Sequence, residues 1–136
     1  MSDRYRLGID ILHRLTGKTH EHLTSRVAEI APDFARMTIE FPFGELYARE
    51  ALDLRTREIA AIAALAALGD ALPQLRVHIA AGLNLGVSQA EVVEILMQTA
   101  VYAGFPAALN ALAGCHDLLT EGDCSSCGSG RLVGQG

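Results

Sequence analysis

Two alanine-rich apolar stretches, LRTREIAAIAALAAL from Leu54 and LPQLRVHIAAGLN from Leu72, constrain the fold of this 136-residue chain more than any other feature. Alanine and leucine are the best helix formers, and 5% aromatic residues among 50% hydrophobic ones leave little of the β-branched and aromatic content that a sheet prefers. The expected class is therefore all-α. Each stretch also holds one group suited to exchanging a proton inside an apolar wall, Glu58 in the first and His78 in the second.

Bulk properties narrow the function classes. The length suits one domain, residues 1–120, able to bury a core without metal or disulfide support. Sixteen acidic against eleven basic residues give a net charge of −5 without a compensating basic cluster, so nucleic acid is not an expected partner. The longest apolar run, Ile59 to Leu68, is far shorter than the roughly 20 residues that cross a bilayer. No membrane partner is expected, and the N-terminus lacks an apolar signal core, which points to a cytoplasmic protein.

Punctuation along the chain predicts the helices. Leu7, Ile11, Leu12 and Leu15 share a face of a first helix that Gly17 ends, and a second, His20 to Ile30, stops before Pro32. Pro42 and Gly44 break the stretch from Asp33 to Glu50, where Phe34, Phe41, Phe43 and Tyr47 are expected to seal the core or to wall a pocket. Asp53 reads as the N-cap and Gly69 as the end of a helix over 54–68. Because that helix is apolar all round, it is expected to be enclosed by protein on every side, which implies oligomerisation. Pro73 opens the next helix and Gly86 ends it. Ser88 and Glu91 form a capping box for a helix reaching about Tyr102, and Gly104 and Pro106 separate it from a last helix, Ala107 to Leu119. The glycine-rich residues 121–136 are expected to form a flexible tail.

RTRE around Arg57 and Glu58, RVHIAAGLNLGV around His78, and EVVEILMQTAVYAGFPAALNAL closely resemble the carboxymuconolactone decarboxylase family of the alkylhydroperoxidase D-like superfamily. The resemblance is strong over about half the chain and looser from Asp33 to about Leu119. It implies an alkylhydroperoxidase D-like bundle of about six helices, assembled as a homo-oligomer such as a trimer or hexamer. It also places Glu58, His78 and Arg57 at the site.

Residue by residue, bland readings stand beside the functional ones. Glu58 shares a face with Ile62 and Leu65, where desolvation favours its holding or passing a proton; alternatively it is a first-turn acid facing the positive helix end. His78 flanks its helix stripe, one turn from Gln74 and one from Gly82. A lone histidine there is usually structural; the resemblance makes it the first choice for a catalytic residue. Peroxidase members of the superfamily carry a CxxC pair seven and four residues before this histidine, but here Ala71 and Gln74 occupy those positions, and neither supplies a thiolate. Gln74 instead offers a hydrogen bond to a substrate oxygen. Cys124 and Cys127 form a CxxC within the tail with nothing to activate it, and even with Cys115 and His116 a zinc site is not expected. Arg49, Arg55, Arg57 and Arg76 are the nearby cations, of which Arg57 and then Arg49 are the expected anion holders.

The expected activity is decarboxylation of a small anionic lactone of the γ-carboxymuconolactone kind. Such a substrate contains its own electron sink, so no cofactor and no metal is expected. Two alternatives remain: a thiol-dependent peroxidase or disulfide reductase using Cys124 and Cys127, and a helical oligomer repurposed for another proton transfer or for metabolite binding.

Overall fold

The structure, a computed structural model, describes residues 1–17 and 21–122, with the backbone alone for 21–23. The cysteine pair at 124 and 127 and most of the expected tail lie outside the described residues. Those residues form eight α-helices and no strand: α1 Asp3–Thr16, α2 Glu21–Ile30, α3 Pro32–Glu40, α4 Leu54–Leu68, α5 Leu72–Asn84, α6 Gln89–Ala103, α7 Phe105–Gly114 and α8 His116–Thr120. A π-helical turn, Pro42–Leu46, follows α3.

Local chemistry sets most of the boundaries. Asp53 caps α4 by accepting from the Thr56 amide at 2.7 Å, and Ser88 and Glu91 cap α6 reciprocally, at 3.0 and 3.1 Å. Gly17 (φ 64°) and Gly69 (φ 80°) end α1 and α4 in the left-handed conformation, which only glycine adopts without strain. Three expectations are corrected. Pro42 starts the π-helical turn rather than merely ending α3. Pro106 lies in the first turn of α7, where its missing amide is no loss, so that helix begins at Phe105. The last helix is broken at Cys115, where Arg76 of α5 donates to the Gly114 carbonyl at 2.8 Å and clamps Asp117 at 2.6 and 2.7 Å. The break at Cys115 adds α8 to the helices expected from the sequence.

Two apolar clusters hold the helices. Ile62 and Ala66 of α4 meet Leu75 and Ile79 of α5, Val92 and Leu96 of α6, and Ala111 of α7. Fully burying side chains such as Ile62, Ile79 and Leu96 contributes roughly 2–3 kcal/mol each. A smaller cluster joins Ile11 and Leu15 of α1 to Ala81 of α5, with Phe43, Tyr47 and Leu54 against it. Glu40, buried at the end of α3, binds Ser2 at 2.5 Å and Arg36 at 2.6 Å, which fastens the start of α1 to α3.

The all-round enclosure expected of α4 is not found within one chain. Its buried line is Glu58, Ile62 and Ala66, while Ala60, Ala64, Ala67 and Leu68 are exposed. Alanine exposes little apolar area, so an alanine face is tolerated in water where leucine would not be. No helix among the described residues is long and apolar enough to cross a membrane.

Candidate active site

The Asp53 cap fixes the first turn of α4 and so the height at which Glu58 leaves the helix. On the facing helix Gly82 permits a close approach: a Cβ there would lie 3.3 Å from Ile62 Cδ1 and 3.8 Å from Glu58 Cβ. One turn before Gly82, the His78 ring meets Glu58, with Nδ1 2.7 Å from Oε2. Glu58 is wholly buried, whereas the His78 side chain keeps 22% exposure. With Nδ1 engaged by the carboxylate, Nε2 is the ring nitrogen available to a bound molecule. An acidic group behind an imidazole fixes its tautomer and stabilises its charged form.

Glu58 and His78 line a cavity of about 260 Å³. Gln74, Val77 and Ala81 of α5 continue the wall around them. Leu12, Leu15 and Thr16 of α1, Thr24 and Val27 of α2, and Phe34, Thr38 and Ile39 of α3 form the opposite side, with Phe43 from the π-helical turn. The lining is mostly apolar, dotted with hydroxyls and one amide.

Glu58, His78 and Gln74 thus line one cavity, and no arginine is among its lining residues. Arg57 donates to the Arg49 carbonyl at 3.1 Å and places its guanidinium carbon 5.7 Å from the centre of the Tyr47 ring. Arg49 lines a separate outer depression with Tyr47 and Asp53. Arg55 pairs with Glu91 at 2.7 Å, and Arg76 holds Asp117.

The aromatic expectation resolves by position. Phe34 and Phe43 wall the cavity, Phe41 is exposed, and Tyr47 is partly buried against Phe43. Burial first, and then the Glu58 carboxylate, push the Tyr47 hydroxyl well above its ordinary range, with Arg57 opposing. Tyr102 of the MQTAVYAG stretch is exposed on α6. Two polar atoms near the pair are buried without a partner, Glu58 Oε1 and Arg57 Nε.

Sequence reasoning missed the contributions of α1, α2 and Thr38, because nothing local marks a leucine or threonine as facing a cavity. Cys115 is buried at the junction of α7 and α8, and burial raises its thiol, unlike an activated nucleophile. Among the described residues no three His, Cys, Asp or Glu side chains converge as a metal site.

The profile of the carboxymuconolactone decarboxylase family matches residues 32–115, well over half of the chain. The chain belongs to that family. The chain is 32% identical over 110 residues to 4-carboxymuconolactone decarboxylase of Acinetobacter baylyi, which covers 80% of this chain and 81% of that protein. It is also 32% identical over 105 residues to an uncharacterised 15.0 kDa protein of Paracoccus denitrificans, covering 76% and 78%. The family region contains both Glu58 and His78 but begins at Pro32, so the cavity wall built by α1 and α2 lies outside it.

Proposed function

We propose that this chain is a decarboxylase of a small carboxylated lactone, γ-carboxymuconolactone being the type of substrate, with His78 as proton donor. The observation that carries the proposal is the 2.7 Å contact between His78 and the buried Glu58 at the wall of an apolar cavity, in a chain of this family.

In such a lactone the scissile carboxylate sits on the ring carbon next to oxygen, conjugated through the ring double bond to the carbonyl. The C–C bond to the carboxylate breaks, CO₂ leaves, and the electron pair spreads through the ring onto the carbonyl oxygen as a dienolate. His78, charged and held through Nδ1 by Glu58, then gives its Nε2 proton to the carbon alpha to the carbonyl. The product is an enol-lactone and the imidazole is left neutral, to be recharged from solvent. Because the substrate holds the electron pair itself, the protein's task is to position it, stabilise the enolate and deliver one proton.

Gln74, one helical turn from His78, is assigned to the lactone oxygen. The guanidinium groups of Arg57 and Arg49 lie outside the cavity lining, so the proposal gives Arg57 to the support of the Glu58 side of the site rather than to a spectator carboxylate.

The test is CO₂ release from γ-carboxymuconolactone by wild type and His78→Ala. A general acid contributes about 10²- to 10⁴-fold, so the variant should lose at least about a hundredfold in kcat. An undiminished rate in the variant removes His78 from the chemistry, and no turnover by either protein removes the substrate.

A further inference from the structure

Glu58 is fully buried, yet only one of its two oxygens is used. Oε2 faces His78, while Oε1 has no hydrogen-bond partner. A buried carboxylate left with one bare oxygen is costly, and the position calls for a donor.

Tyr47 is near enough to Glu58 for the carboxylate to act on its hydroxyl. Its ring packs edge-on against Phe43, with centroids 5.1 Å apart and planes at 69°, and lies under the Arg57 guanidinium. Phe43 is itself part of the cavity wall, and Tyr47 lines the outer depression behind it. Tyr47 therefore joins the outer depression to the Phe43 part of the cavity wall. Burial, and then the Glu58 carboxylate, keep the phenol protonated, which leaves the hydroxyl as a donor.

We infer that Tyr47 is a positioning residue, whose hydroxyl donates to Glu58 Oε1 in the working enzyme and so fixes Oε2 as the acceptor for His78 Nδ1–H. This role rests on the proton-donor reading of His78. With Oε1 held, the carboxyl group cannot rotate away from the ring, and neutral His78 is confined to the tautomer with its proton on Nδ1. Nε2 then stays directed to the reacting carbon throughout the cycle. Arg57 and Phe43 hold the phenol ring from its face and its edge, so the whole device is assembled from the segment just ahead of α4 and the first turn of that helix.

Tyr47→Phe removes the hydroxyl and keeps the ring against Phe43 and Arg57. Loss of one hydrogen bond to a charged group predicts a fall in kcat of about tenfold to a hundredfold with KM unchanged. In the ligand-free protein the ¹⁵N resonances of the neutral His78 ring should change from a single Nδ1–H tautomer to a mixture, a readout that packing alone does not move. A variant with wild-type kcat and an unaltered ¹⁵N pattern overturns the inference. The nitrogen spectrum needs no substrate, so it decides the matter for Tyr47 even if the lactone proves to be wrong. Should Tyr47→Phe fail to fold, 3-fluorotyrosine at position 47 replaces it. Its ¹⁹F resonance should move on Glu58→Gln, and a resonance that stays in place sinks the inference.

Discussion

Removing the imidazole from the Glu58–His78 pair should destabilise the protein by leaving a buried acid without its partner. In His78→Ala, Glu58 keeps its wholly buried position, but Oε2 loses its partner and Oε1 already has none. Leaving one member of a buried pair without the other costs about 3–5 kcal/mol. The vacated volume adds little, because the histidine borders an open cavity rather than close-packed core. For a chain of this size the penalty corresponds to a fall in Tm on the order of 15 °C. Urea unfolding of His78→Ala and of the double variant Glu58→Gln/His78→Ala isolates the carboxyl, since both lack the ring. The single variant should therefore be less stable than the double variant, in which a neutral amide replaces the acid, by about 2 kcal/mol. Equal stabilities for the two variants would refute the burial argument and with it the sealed geometry of the pair.

Other outcomes follow from the remaining contacts. Arg76 holds the Asp117 carboxyl down at about 2, so the clamp that docks α8 is present above about pH 4 and is lost as the pH falls toward 2. The stability difference between wild type and Asp117→Asn should therefore shrink across that acid range, as read by thermal denaturation, and a constant difference would contradict it. Arg57→Gln should lower kcat more than it raises KM, because the guanidinium packs on Tyr47 rather than on the cavity; steady-state kinetics showing a rise in KM alone would return Arg57 to the substrate. Replacing Cys124 and Cys127 together by serine should leave CO₂ release unchanged, whereas loss of activity would favour the thiol reading.

The sequence disclosed what is decided within a few residues. Asp53 and the Ser88–Glu91 pair announce helix starts because a cap bonds to amides only three residues away. Glu58 and His78 stood out because each interrupts an apolar stretch, and the resemblance joined them across the 20 residues that separate them. What depends on docking was hidden. The break at Cys115 arises from Arg76, 38 residues earlier, reaching the Gly114 carbonyl. Leu12, Thr24 and Thr38 face the cavity only because α1, α2 and α3 are folded over α5. Tyr47 looked like one aromatic among several, and only the unpartnered Glu58 oxygen gives its hydroxyl a task. A run of alanines such as that of α4 reads as apolar by residue type while offering little area to bury.

The far wall of the cavity comes in part from helices that precede the family region, whereas the acid and the imidazole are clamped together by the tight α4–α5 seam inside it. On the proposed reading, part of recognition is therefore written on a stretch of polypeptide that the chemistry does not use. Changes confined to Leu12, Leu15, Thr24 or Val27 would retailor the shape that is admitted without disturbing the proposed proton donor, so this scaffold can diversify its diet while keeping its teeth.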